Sequence, residues 1–232
     1  AWDVAGYYVV AEPPPGEYLV DNPNWLANLL DLLAGLKLQR RQVILGYCNQ
    51  QMLLASCCKV DAICSGTWMN VRSFSADKFH ASEDDEEKRR KRWYYCPHAF
   101  SEFKIPFLDI AWRQGVLEGM APDPAIDGGY ASALFKGDQP TTVSFPDQVA
   151  FRHYLHSLHE QAKFLQHDSF HAAIAAHEQT LTEAENVLHN LHSIGVKGQN
   201  RDFAECVDAA RAAIGVLRST RGPLLNHQWS SL

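Results

Sequence analysis

The stretch QVILGYCNQQMLLASCCKVDAICSGTWMNVRSF, residues 42–74, decides the fold class. Val43, Ile44 and Leu45 form an apolar run that stops at Gly46, and Tyr47, Cys48, Asn49 and Gln50 follow. Residues 52–58 are apolar and read as a helix. Residues 60–64 read as a second strand, stopped by Ser65 and Gly66, with Asn70 and Arg72 just beyond. Strand, glycine turn, helix and strand make a βαβ unit, whose strands run parallel because the crossover returns the chain to the same end. Polar residues directly after both strands matter, since parallel α/β folds bind ligands at the carboxyl ends of their strands.

Upstream, residues 6–11 read as a buried strand and residues 12–21 as a Pro-rich loop. Asp21 or Asn22 can cap a helix that has Pro23 in its first turn. Trp25, Leu26, Leu29, Leu30, Leu33 and Leu36 then recur at helical spacing. The order is β-α-β-α-β, with short strands apolar on both faces, a pattern suited to a parallel sheet covered by helices. Three strands do not close a barrel. The expected fold is α/β: the C-terminal part of a (β/α)8 barrel-like parallel sheet, or part of an open sheet, followed by an α-helical region. The chain opens at Ala1 rather than Met and enters its first strand at Gly6, so further β/α units are expected ahead of it.

Downstream, residues 81–92 switch from an acidic to a basic block. On a helix, Asp85 with Arg89 and Glu87 with Lys91 are favourable pairs, aligned with the helix dipole. Residues 105–114 read as a short helix. Residues 149–165, 170–191 and 203–217 are amphipathic helices, with Asp147, Asp168 and Asp202 as N-terminal caps. The division expected is a partial barrel-like domain over 1–120, a Gly/Pro-rich connecting segment over 121–146, and a three-helix region over 147–232. Those three helices are expected to pack on one another with their histidines mainly facing solvent.

A net charge of −6 provides no global basic field for nucleic acid, so any such contact needs a local patch. Six cysteines in 232 residues are too sparse for a disulfide scaffold and suit free thiols in a reducing cytoplasm. No apolar run is long enough to span a bilayer.

Four groups of residues can carry chemistry. Gly46, Tyr47, Asn49, Gln50, Ser65, Gly66, Asn70 and Arg72 cluster after the strands. The glycines let a ligand approach the backbone, the amides read an amide edge, and Arg72 takes a phosphate or carboxylate. The alternative is ordinary loop polarity. Lys88, Arg89, Arg90 and Arg92 precede Trp93, Tyr94 and Tyr95, which pairs phosphate contacts with stacking rings; the alternative is a solvated helix. His153, His156 and His159, like His189 and His192, recur at a spacing that permits metal ligation or simply a polar face. Asp61 and Asp109 sit in apolar company, as paired structural groups or site groups. Cys48 and Cys64, at strand ends, are candidate nucleophiles or structural thiols.

Leu45-Gly46, the helix running to Lys59, Val60-Asp61-Ala62-Ile63 and Asn70-x-Arg72 resemble the late strands of the tRNA-guanine transglycosylase family, over residues 1–75. The resemblance implies a (β/α)8 barrel that exchanges a base on a nucleic acid through a covalent aspartate. The family's nucleophilic aspartate falls at Cys64, and Asp61 matches the aspartate beside it, so Asp61 and Cys64 are the candidate catalytic residues. The family's Cys-x-Cys-x-x-Cys…His zinc motif has no counterpart in Cys57, Cys58 and Cys96, and neither metal nor cofactor is expected. The expected partner is a nucleic acid (tRNA or DNA) or a nucleobase, with oligomerisation left open and no membrane. Two other readings stand beside it: a barrel enzyme acting on a small phosphorylated or amide substrate, and a non-catalytic interaction module.

Overall fold

A computed structural model describes residues 4–79, 92–124 and 126–232. Strand β1 (Gly6–Val9) leads to helix α1 (Pro23–Leu38), then to β2 (Gln42–Leu45) and β3 (Ala62–Ile63). The three strands form a parallel sheet in the order β1-β2-β3, with Tyr8 opposite Ile44 and Ile44 opposite Ala62. Asn22 caps α1 by accepting the N–H groups of Asn24 and Trp25, and Pro23 starts the helix where no N–H is needed. The α/β expectation therefore holds for this unit; a closed barrel is not formed by the described residues.

Period-two alternation decides what each strand covers. Val43 and Leu45 are buried on the side of α1, and Leu26, Leu30 and Leu33 of that helix are equally inaccessible. Tyr8, Ile44 and Ala62 lie on the opposite face and are exposed. Burial on both faces was expected. Among the described residues that face is left open at Tyr8 and Ile44, which are 58% and 36% exposed.

Between β2 and β3 the chain forms a 3₁₀ helix, Gln50–Cys58, capped by the Asn49 side chain and ended by Lys59 in the left-handed region. Every residue of it except Ser56 is buried, and α1 packs against it. Strand β3 is shorter than the sequence suggested, and beside it Asp61 bonds β2 twice: its N–H donates to the Val43 carbonyl at 2.9 Å, and its carboxylate takes two donors. It accepts the Val43 N–H at 2.6 Å and the Lys37 ammonium at 2.9 Å. Asp61 thus fastens the end of α1 to β2.

An antiparallel hairpin follows, β4 (Trp93–Cys96) and β5 (Ser101–Lys104), turning through Pro97–Ala99. Residues 93–96 follow directly on the charged stretch. They are a strand because Tyr94, Tyr95 and Cys96 enter the core beside Phe103. The helix expected over 81–92, with Lys88, Arg89 and Arg90, lies outside the described residues except for Arg92. Helix α2 (Ile105–Arg113) carries Asp109, which accepts the Thr141 N–H at 2.9 Å and hydroxyl at 2.6 Å. Burial pushes the Asp109 pKa up, but the hydrogen bonds from Thr141 and Gln139 outweigh it and hold the carboxyl below its ordinary value. Asp109 is thus a brace for the 139–142 loop.

Helices α3 (Asp147–Phe164), α4 (Phe170–Ser193), α5 (Cys206–Thr220) and α6 (Gly222–Gln228) complete the fold. Helix α5 runs along α1, α4 packs on the 50–58 and 97–99 segments, and α3 packs on β4. These helices share one continuous core with the sheet unit. Arg221 seals the contact with a two-toothed pair to Asp31, at 2.7 and 3.0 Å. None of the three expected aspartates caps its helix. Pro146 precedes α3, the Ser169 hydroxyl caps α4, and Asp202 is engaged by His192 and by the Gly198 N–H. Most of the histidines on these helices are exposed or half-buried, and two are buried. His153 is buried, stacked on Tyr94, and donates to the Tyr95 carbonyl at 2.7 Å, and His177 is buried without a partner for Nδ1.

Two stability predictions follow from these contacts. Asp61→Ala leaves the Lys37 ammonium buried without its counter-ion and removes a ladder acceptor, so urea unfolding will show a loss of about 2–3 kcal/mol. Burial pulls the His177 pKa down to about 4 from 6.5. Below pH 6.5 the unfolded chain binds a proton that the folded chain refuses. Stability therefore falls as pH drops from 6.5 towards 4, by up to about 3 kcal/mol from this group. Urea midpoints at pH 7 and pH 4.5 will differ less in His177→Leu than in the parent chain.

Candidate functional site

Beyond β3, residues 64–75 cross the carboxyl edge of the sheet. A cavity of about 660 Å³ opens where this loop meets the β4–β5 hairpin, the first turns of α3, and Arg201. Its walls are the rings of Trp68, Trp93, Tyr95, Phe151 and Tyr154. Trp68 and Phe151 meet edge to face at 5.1 Å, and Trp68 remains about half exposed. Flat π surfaces around a space of this size accept a planar ligand.

One side of the cavity is ionic. Glu102, on β5, is buried, and its Oε2 accepts from Arg72 Nη1 at 3.2 Å and Arg201 Nη1 at 2.8 Å. Its Oε1 accepts the Tyr18 hydroxyl at 3.0 Å. Each guanidinium is also held by a ring: Arg72 lies 3.5 Å from the Tyr154 centroid and Arg201 4.0 Å from that of Trp93. The 3₁₀ turn Met69–Val71 brings Arg72 back under its own loop, where Nε donates to the Gly66 carbonyl at 2.8 Å and Nη2 to that of Thr67 at 3.1 Å. Burial alone would pull the Arg72 pKa down, but the neighbouring Tyr154 and Glu102 more than offset it and the group stays charged. Burial pushes the Tyr154 hydroxyl up to about 12, so it remains a donor, to Gln50 Oε1 at 3.2 Å.

The residues singled out in the sequence fall into three sets. Arg72 and Arg92 line the large cavity, and the Arg92–Trp93 pairing of cation and ring lies at its edge. Gly46, Tyr47, Asn49 and Arg72 line a separate space of about 20 Å³, room for a single water. Parallel pairing brings these loops together, with the Cys48 N–H bonded to the Cys64 carbonyl at 2.8 Å. The remaining residues serve the fold. The Asn49 amide donates to the Tyr18 carbonyl at 2.6 Å, and that of Gln50 to the Phe100 carbonyl at 3.1 Å. A Cβ on Gly46 would meet the Tyr8 ring and one on Gly66 the Val71 side chain, so this protein's own groups occupy the room beside both glycines. Ser65 Oγ is sealed from solvent, and Asn70 faces outward beside the Pro-rich loop. Asp61 and Cys64 do not line the large cavity. Burial pushes the Cys48 thiol up to about 12, which removes it as a nucleophile at neutral pH. Among the described residues, no three His, Cys, Asp or Glu side chains converge to hold a metal.

Glu102, Arg201 and Tyr18 were not anticipated. Glu102 sits in SEFK, where one acidic residue in a short strand carries no signal of burial. Arg201 lies in a polar loop 99 residues away in sequence.

As a strand-end cation for a ligand, Arg72 would be dispensable for folding. It is only 3% exposed and braces three segments. Arg72→Ala will therefore lower stability by about 3 kcal/mol, since it leaves Glu102 underpaired in the interior. Arg72→Lys will recover a minority of that loss, because an ammonium cannot make the forked contacts; chemical denaturation of both variants measures this. Comparison with protein-family models, with curated proteins and with solved structures finds no match for this chain.

Proposed function

We propose that this chain binds a nucleobase-bearing ligand in the cavity between Trp68, Phe151 and the Arg72–Glu102–Arg201 cluster, as part of a (β/α) barrel-like protein of transglycosylase type. The observation that carries the reading is the pairing of ring walls with two fixed guanidinium groups on one 660 Å³ space. Rings stack on bases and guanidinium groups take phosphate oxygens, the two contacts that nucleotide binders combine. The barrel-like part of the proposal draws support from the sheet. Tyr8 and Ile44 lie on an exposed face, whereas parallel sheets are ordinarily covered on both faces. Further strands in register with β1 would turn that face inward.

Binding is favoured over base exchange as the activity of the described residues. Asp61 is engaged by Lys37 and Val43, and neither it nor Cys64 reaches the cavity. An enzyme of small phosphorylated substrates would use the same ring walls and cations.

Tryptophan fluorescence titrated with short single-stranded RNA and DNA tests the proposal. Quenching that saturates in the micromolar range at low salt and weakens as salt rises is the expected result. Trp68 is part-exposed, so Trp68→Ala will leave the unfolding midpoint nearly unchanged. It will weaken binding by about 1–3 kcal/mol, the worth of one stacked base. Equal affinity in the variant would remove the cavity from consideration.

A further inference from the structure

We infer that the cavity is matched to a phosphate bearing a single negative charge, the phosphodiester of a nucleotide within a strand, and that Glu102 is the positioning residue that sets this match. The inference rests on the nucleobase reading given above.

The charge count comes first. Among the described residues, three arginines line the cavity against two carboxylates, Glu102 and Asp147, so one positive charge is left over. In a confined, ring-walled space an uncompensated charge is costly, and a ligand anion relieves that cost. The cost of stripping water from the ligand grows with the square of its charge, whereas its attraction to the site grows only linearly. With one positive charge to meet, a monoanion is the favourable occupant. The second negative charge of a phosphomonoester would be unbalanced and would face Asp147.

The donors are also arranged for this. Arg201 Nη1 is committed to Glu102 and its plane is set by the Trp93 ring, but Nη2 makes no hydrogen bond among the described residues. Arg92 spends one nitrogen on the Phe145 carbonyl at 3.4 Å, a weak bond. Glu102 itself offers the ligand little, since both of its oxygens are occupied by Tyr18, Arg72 and Arg201. It acts through the two arginines, fixing their planes and cancelling one of their charges.

The test compares two probes that differ by one negative charge and one methyl group: a nucleoside 5′-monophosphate and its methyl ester, for each of the four bases, with the charge variants below separating the two differences. At pH 8 the monophosphate is a dianion, because the second ionisation of a phosphomonoester lies near pH 6, and the ester is a monoanion. Fluorescence titration of the full chain should give the ester at least tenfold tighter binding. Glu102→Gln and, without disturbing the buried cluster, Asp147→Asn each add one positive charge to the site. Each should shift the ratio at least threefold towards the monophosphate. Equal binding of the two probes, or tighter binding of the monophosphate by the parent chain, overturns the inference while leaving the nucleobase reading in place. Failure of both esters and parent nucleosides to bind overturns both. The parent-chain measurement decides the matter even if Glu102→Gln does not fold.

Discussion

A carboxylate buried between two guanidinium groups is the constraint on which most of this fold converges. Glu102 joins β5 to the loop after β3 through Arg72, to the 199–201 turn through Arg201, and to the Pro-rich loop through Tyr18. Such a cluster is a weak source of net stability, because desolvating three charges offsets most of their attraction. Its value lies in exclusivity: no other packing of these segments supplies the missing counter-charges. The adjoining amides extend the same logic. Gln50 ties the 3₁₀ hub to Phe100 and Tyr154, so the sheet unit, the hairpin and α3 are held in one relative placement by polar contacts inside an apolar core.

Elements specified by local pattern were legible in the sequence. The β-α-β-α-β order, the Asn22 cap with Pro23, and the spans of α2, α3 and α4 follow from periodicity and capping chemistry, which act over a few residues. Elements specified by distant partners were not. Trp93, Tyr94 and Tyr95 form a strand because Ser101–Lys104 returns beside them, and nothing local to WYYC distinguishes that from the end of a charged helix. Asp202 looks like a cap in the sequence, but His192 and Gly198 claim its carboxylate first.

The site divides the same way. The sequence singled out Ser65, Gly66, Asn70 and Arg72 as residues just past a strand, but not the direction in which the Arg72 side chain runs. An arginine just past a strand end reads as solvent-facing until the acid that buries it is known, and Glu102 lies 30 residues further on. The glycines at 46 and 66 illustrate a related limit. Absence of a side chain signals a close approach, and here the approaching groups are Tyr8 and Val71 rather than a ligand.

The seal between α1 and α5 has a consequence for how this chain reaches its fold. Asp31 and Arg221 are 190 residues apart, and α1 packs along α5, a helix made long after it. At ordinary elongation rates of 5–20 residues per second, roughly 10–40 s separate the synthesis of one from that of the other. During that interval Leu29, Leu33 and their neighbours wait without their partner, and closing so long a loop carries an entropic cost before any contact is gained. The α1 surface therefore lacks the cover that α5 gives it until residues 206–220 have been synthesised.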